Sequence, residues 1–370
     1  SAVRANQDGL TPVTRFAGPR FQSSLAGAVP AAAWQKLLAE TAGATTPEEN
    51  PAWLLAWDAL AEARQGTPEL AAVPPERIGL ILSTTKANIP ALELLADGRT
   101  CSAIARRHLQ ADLLAEDLAQ AAGCQGPVQA VSVACVSGLV ALGQAWKWIQ
   151  QGRVDAVMVV GVDVLSEFVM AGFTALKALD PLGCRPFDAA RGGLSPGEAG
   201  AALVLLRQEL ASAAAVRVRA FGGSNDANHL TGPSRDGSGL ALAIQTALKV
   251  AACSPAEIDL VHAHGTGTPY NDAMESLALR TVFGESGPPV AASKGLLGHT
   301  LGAAGVIESI IGILALQNQC LPGTPRLVTP AQGAPAGLQL TPQGGRRLRS
   351  ILKLNTGFGG MNGALLLSHE

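Results

Sequence analysis

The residues able to do chemistry sit in short turns of small residues, each at the end of an apolar run. The first is Cys135, in Val131-Ser132-Val133-Ala134-Cys135-Val136-Ser137-Gly138. A valine-rich run ends, the cysteine follows at once, and an apolar helical pattern opens near Gly138. A thiol at a helix N-terminus feels the positive end of the dipole, which favours the nucleophilic thiolate. Ala134, Ser137 and Gly138 are small enough for a sharp turn that exposes the sulfur. Taken alone, a cysteine in this place is more often a small buried hydrophobe.

Three further turns follow. His262-Ala263-His264-Gly265-Thr266-Gly267-Thr268-Pro269, with Asp272 and Glu275 behind it, leaves a strand with imidazoles and passes through glycines and hydroxyls. His262 and His264 share a strand face by the period of two, which would suit a metal pair. No third ligand has the spacing, so no metal is assigned. Ser293-Lys294-Gly295-Leu296-Leu297-Gly298-His299-Thr300-Leu301-Gly302 places a lysine and a histidine just ahead of an apolar helix. Unpaired charge there would be costly, so both need partners. The phosphate-cradling GxxxxGK[ST] pattern does not occur in this loop. Gly357-Phe358-Gly359-Gly360-Met361-Asn362 is a glycine turn between two apolar runs, and a tight hairpin is its plain reading.

These turns need rigid elements to hold them. Apolar runs at 78–82, 128–133, 156–161, 201–206, 216–221, 260–263, 289–292, 351–354 and 364–367 read as strands. Helical patterns cover 51–63, 111–122, 138–151, 237–252, 273–283 and 302–318. Such alternation predicts a layered α/β fold with covered sheets. The segment 128–151 (strand, reactive turn, apolar helix) is echoed by 289–318, which predicts two duplicated halves, 1–210 and 211–370, each giving one reactive turn to a shared centre. A Pro/Gly-rich stretch at 322–342 reads as a surface loop.

Composition fits a large buried core: 370 residues, 48% hydrophobic and only 15% charged, with 42 glycines. The net charge of −2 offers no global field for nucleic acid. Cys101, Cys124, Cys135, Cys184, Cys253 and Cys320 show no CxxC pairing and read as reduced thiols of a cytoplasmic protein. The start of the chain lacks the form of a signal peptide. The longest apolar run, 302–316, contains Glu308 and is too short to span a bilayer.

In this order the lone Cys, HGTGT, KGxxGHTxGAAG and GFGG resemble the β-ketoacyl-ACP synthase I/II group of the thiolase-fold condensing enzymes, including type II polyketide and polyene ketosynthases. The likeness runs from 9–16 and 21–30 through Arg185-Pro186-Phe187-Asp188 and Arg191-Gly192-Gly193 to the final glycine turn. It implies a thiolase-like fold layered αβαβα. It implies that Cys135 accepts an acyl group, that His264 and His299 stabilise the enolate formed when malonyl-ACP loses CO₂, and that Glu275 supports Lys294 near them. Backbone N–H groups of Cys135 and Phe358 would form the oxyanion hole, with Phe358 as gate. Thr266 and Thr268 would line the phosphopantetheine arm, which the carrier protein supplies, so no cofactor is expected. The implied partners are the acyl carrier protein and an identical or related synthase chain; no nucleic acid or membrane span is implied.

The departures from the family concern the acyl pocket and its gate. Val136 stands for a Ser, Val133 for a Thr, Met361 for a Thr, Thr356 for a second phenylalanine and His262 for an Asn. The family's opening strand, ahead of 9–16, has no counterpart, which suggests a chain that starts late or an unusual start. Primary fatty-acid and specialised polyketide or polyene pathways both fit, with a tilt to the latter. A non-catalytic chain-length partner would lack the nucleophile. A thiolase would need a late cysteine, an initiating CoA-using synthase an Asn in place of His299, and a papain-like hydrolase would not call for Lys294. The basic runs Arg346-Arg347-Leu348-Arg349, a few residues ahead of the turn that carries Phe358, and Arg106-Arg107 are the candidate docking surface for an acidic carrier.

Overall fold

A computed structural model describes residues 5, 8–15, 21–40, 45–212 and 215–369. Most of the 9–16 stretch is therefore described, but Phe16 lies outside the described residues.

Nine strands form two sheets. The first sheet holds β1 (Ile78–Ser83), β2 (Val128–Val131), β3 (Ala156–Asp163) and β4 (Ala199–Leu206), in the order β2-β1-β3-β4. The second holds β5 (Arg217–Asn225), β6 (Leu260–His262), β7 (Val290–Ala291), β8 (Ser350–Thr356) and β9 (Met361–Ser368), in the order β5-β9-β8-β6-β7. In each sheet the first three parallel strands lie in the order second, first, third, and the next strand joins the third antiparallel. The repeated order is the signature of a duplicated half, with β5 as an extra antiparallel edge on the second sheet.

Six long helices build the remaining layers: α1 (Pro51–Gln65), α2 (Ala111–Ala122), α3 (Ser137–Gln150), α4 (Ser238–Val250), α5 (Pro269–Phe283) and α6 (Ala304–Asn318). Alternation along the strands fixes their places. Leu80 and Leu82 of β1 join the core with α1 and α2, while Ile81 faces α3 and α6. On β8, Leu352 and Leu354 join the core with α4 and α5, while Ile351 faces the central layer. The result is αβαβα: outer helices, a sheet, the two apolar helices α3 and α6, the second sheet, and outer helices again.

All nine expected strands and six expected helices form, with ends displaced by a few residues. The helices Ala31–Glu40, Ile89–Ala96, Ala103–Arg107, Glu167–Ala175 and Lys294–Leu297 were not anticipated; they are short or carry no clean apolar stripe. One expectation needs correction. With its lead-in turn, the run expected at 302–316 extends over Leu301–Asn318, 18 residues, long and apolar enough to cross a membrane. It is 67% buried inside the fold, so it is placed as a core helix between the sheets.

Candidate active site

The reactive turns follow the C-terminal ends of the parallel strands β2, β6, β7 and β8. Cys135 follows β2. Ala134 before it has φ of +48°, a left-handed conformation costly for a residue with a Cβ, so the surrounding bonds must hold it. Ser137 does so. Its hydroxyl accepts from the Val133 N–H at 2.8 Å and donates to Ala134 O at 2.6 Å. Among the described residues no turn or loop bond takes the N–H of Cys135 or of Phe358. Gly357 lies against this turn; a Cβ there would stand 3.2 Å from the Cys135 nitrogen. The half-exposed Phe358 ring faces Phe173, with centroids 6.3 Å apart.

Cys135 keeps part of its surface accessible, yet burial of the centre pushes its thiol up to about 11. The charges of Lys294 and Lys86 pull it back down, while Asp163 and Glu308 push it up. Even with both lysines beside it the thiol rests protonated at neutral pH, so the helix terminus and the lysines together do not hold a standing thiolate.

The HGTGT turn follows β6 and is gripped from α5. The Glu275 carboxylate accepts the N–H groups of His264 at 2.6 Å and Gly265 at 2.9 Å. Burial raises its carboxyl to about 7 against the pull of those bonds. Asp272 accepts from Thr266 at 3.1 Å, Gly267 at 3.2 Å and Phe187 at 2.7 Å, which ties in the Arg185–Asp188 stretch. Gly265 and Gly267 have φ of +47° and +74°, and a Cβ on Gly267 would lie 2.9 Å from the Arg185 nitrogen. Thr266 and Thr268 share a hydroxyl bond of 2.9 Å.

His264 and His299 meet edge to face, with ring centroids 5.2 Å apart. The Lys294 ammonium and the Asn355 amide both point donors at His264 Nδ1, at 3.2 and 2.9 Å. Nδ1 is therefore the acceptor, and the ring proton sits on Nε2. The Leu301 N–H approaches His299 Nδ1 at 3.4 Å, which favours the same tautomer there. Burial, then the charge of Lys294, holds both imidazoles well below their ordinary range. Two neutral rings are thus held with Nε2–H donors around Lys294, whose charge also reaches Cys135, an arrangement that stabilises negative charge on a carbonyl oxygen.

Residues 27–211 match the family described as Beta-ketoacyl synthase, N-terminal domain, and residues 215–327 match Beta-ketoacyl synthase, C-terminal domain. The chain belongs to the β-ketoacyl synthase family. It is 37% identical over 321 residues to a polyketide beta-ketoacyl synthase 1 of Streptomyces halstedii, covering 80% of this chain and 76% of that one. It is 37% identical over 272 residues to 3-oxoacyl-[acyl-carrier-protein] synthase 2 of Vibrio cholerae, covering 69% and 65%. The solved structure titled the ishigamide ketosynthase/chain length factor superposes with a TM-score of 0.88 at 28% identity, covering 100% of this chain and 94% of that one. The synthase is a condensing acyltransferase of the thiolase-like fold.

Two expectations are corrected in this synthase. The anticipated pair of Lys294 with Glu275 does not form. Lys294 Nζ bonds Glu308 Oε1 at 2.6 Å and His264 O at 2.6 Å, because Glu275 is spent on the turn's backbone. The basic run at 346–349 is not beside Phe358. Arg346, Arg347 and Arg349 are exposed but precede β8, whereas Phe358 follows its far end. Strand rise of ~3.3 Å per residue puts them roughly 20 Å or more apart. In the other run, Arg107 is engaged by Asp117 and Glu116.

Four residues of this centre carried no motif. Glu308 lies on α6, where an acidic residue in an apolar helix was the available signal. Lys353 and Asn355 lie on β8, where alternation with Leu352 and Leu354 points both into the central layer. Asp163, at the end of β3, is a node. Its carboxylate accepts from Thr84, from the N–H and hydroxyl of Thr85, and from Gly302 N–H at 2.6 Å, with Lys86 Nζ at 3.7 Å. His262 has Nε2 3.1 Å from Ser293 Oγ, and burial, then the charge of Lys353, lowers it to about 3. Among the described residues no group of three or more His, Cys, Asp or Glu is placed to hold a metal.

Proposed function

We propose that the chain catalyses a decarboxylating Claisen condensation between an acyl group on Cys135 and malonyl-ACP. The observation that carries this reading is the pair of neutral histidines, His264 and His299, held as Nε2–H donors around Lys294, whose charge also reaches Cys135. In the first half-reaction the Cys135 sulfur attacks the thioester of an acyl carrier protein. The carbonyl oxygen takes negative charge against the N–H groups of Cys135 and Phe358, and the carrier leaves as a thiol with the proton Cys135 gave up. In the second, the bond from the malonyl carboxylate to its α-carbon breaks and releases CO₂. The electron pair forms an enolate whose oxygen accepts from both imidazoles. The enolate carbon attacks the acyl-Cys135 carbonyl, Cys135 leaves, and β-ketoacyl-ACP departs.

Thr266 and Thr268 line the path of the phosphopantetheine arm, which arrives on the carrier; the synthase brings no cofactor of its own. The duplicated halves, 1–210 and 211–370, each supply one side of the centre. The edge strand β2, with Val128 and Gln129 exposed, offers a surface for extending the sheet across a two-fold axis into an identical or related chain. The pathway is fatty-acid or type II polyketide or polyene synthesis, in the cytoplasm, a setting the six unpaired cysteines favour. A chain-length partner with little catalysis is the alternative, and the intact Cys135 with both histidines argues against it. Intact-protein mass spectrometry after incubation with a panel of acyl-ACPs tests the reading and names the substrate: a stable acyl mass on Cys135 supports it, and no acylation by any carrier ends it.

A further inference from the structure

Lys353 is a fully buried cation that the steps above do not use. It sits on β8, in register with His262 of β6, on the face that alternation turns toward α6. Its ammonium bonds Glu308 Oε2 at 2.7 Å, Ala263 O at 3.0 Å and His262 O at 3.3 Å, so all three N–H donors have acceptors. Glu308 gives its other oxygen to Lys294. One carboxylate therefore lies between two buried ammonium groups, and a positive charge is left over. Burying such a surplus is expensive, and only tight, fully used geometry keeps it. Asn355, two residues along on the same face, links Glu308 Oε2 at 3.3 Å to His264 Nδ1.

We propose that Lys353 is a positioning residue for decarboxylation, acting through Glu308 and Asn355 to hold His264 as the neutral donor and supplying a fixed positive charge that favours the enolate oxygen. This rests on the condensation reading above. The chemistry gives the reason. When CO₂ leaves, negative charge moves from a departing carboxylate onto an oxygen beside His264 and His299. A fixed cation in a closed site lowers the energy of that charge far more than it would in water. The charge of Lys353 bears on both histidines, whereas the leading charges on Cys135 are Lys294 and Lys86. The two half-reactions should therefore answer differently to its removal.

The groups facing Lys353 are Glu308 from α6, Lys294 from its turn, His262 and His264 from β6 and its turn, and Glu275 from α5. Burial pushes the amine down to about 8, Glu308 holds it up and Lys294 pushes it further down. Lys353 is charged below that value and neutral above it, so malonyl decarboxylation should fall as pH rises through about 8. Glu275, at about 7, titrates on the acid side of that limb.

The test measures CO₂ release from malonyl-ACP and acyl loading of Cys135, each against pH, for wild type, Lys353→Met and Lys353→Arg. In Lys353→Met, decarboxylation should drop roughly tenfold or more, the scale on which lost transition-state electrostatics are felt, and the limb near pH 8 should vanish. Loading should change much less. Lys353→Arg, always charged, should keep more decarboxylation than the Met variant and carry it beyond the limb. If wild type decarboxylates and Lys353→Met matches it in rate and profile, the role of Lys353 is overturned while the condensation reading stands. Equal losses in both half-reactions for both variants also overturn it, by showing a purely structural role. If wild type releases no CO₂, the condensation reading itself fails.

Discussion

Gly138 and Gly305 stand back to back where α3 and α6 cross: a Cβ on Gly305 would lie 2.3 Å from the Leu139 nitrogen, and one on Gly138 2.7 Å from the Val306 nitrogen. This contact joins the two halves at the N-termini of the helices that follow the Cys135 and His299 turns. Any side chain there would hold the turns apart.

Gly305→Ala should therefore lower stability by about 1–3 kcal/mol through overpacking, read by urea unfolding, and should lower condensation further than the stability loss explains. An unchanged midpoint with native turnover would show that the close approach is not required.

Cys135 loading should climb with pH. With the thiol held near 11, the thiolate fraction rises about tenfold per pH unit between 7 and 9. Cys135→Ser should not be acylated, and Lys86→Met, which removes one of the charges favouring the thiolate, should load several-fold more slowly at pH 8. Stopped-flow acylation checks all three. Native loading in Lys86→Met would remove that lysine from the account.

His264→Ala and His299→Ala should keep much of the acyl loading and lose roughly 10²–10³ in malonyl decarboxylation, as expected when a donor to a developing oxyanion goes. Because both rings are held well below the ordinary imidazole range, decarboxylation should not collapse as pH falls from 8 to 6. A loss centred near 6.5 would mean that the rings titrate as free imidazoles.

The same burial makes the fold acid-sensitive. A histidine whose folded value is depressed stabilises the protein above its unfolded value of ~6.5 and loses that contribution as pH falls below it. For His262, at about 3, the cost at pH 5 is about 2 kcal/mol, at 1.36 kcal/mol per pH unit. Glu275 acts in the opposite sense, since its raised value costs stability as pH rises from ~4.5 to about 7. His262→Asn should flatten the loss of stability between pH 7 and 5 in urea titrations. An unaltered slope would count against a buried neutral ring.

Carrier docking should not depend on the run at 346–349. Reversing Arg346, Arg347 and Arg349 to Glu should leave the apparent KM for acyl-ACP unchanged. Arg235 is exposed in the loop after Leu230, whose carbonyl accepts the Gly359 N–H at 2.7 Å beside Phe358. Arg235→Glu should raise that KM, and more so at low salt. The reverse pattern would place the carrier at the other end of β8.

Much of this was legible in the sequence, because apolar period and glycine turns act locally. The strands were readable as Val- and Ile-rich runs, and Cys135, His264 and His299 stood in turns that only small residues permit. What escaped was pairing across the fold. Glu308 and Glu275 are both carboxylates on helices near the reactive turns, and only the packing of α6 against β8 decides that Lys294 meets the first. Lys353 looked like one polar residue in an apolar strand. Its meaning comes from β6 lying next to β8, which no local pattern encodes. The misplaced arginine run has the same origin: nearness in sequence to Phe358 was mistaken for nearness in space across a whole strand.

The most direct measurement is a single-turnover chase. Cys135 is first loaded from an acyl-ACP, free carrier is removed, and malonyl-ACP is added while protein mass and CO₂ are followed. The expected result is loss of the acyl mass from Cys135 with one CO₂ released and one β-ketoacyl-ACP formed, two carbons longer than the loaded chain. An acyl group that stays on Cys135, or leaves as the free acid without CO₂, would contradict condensation.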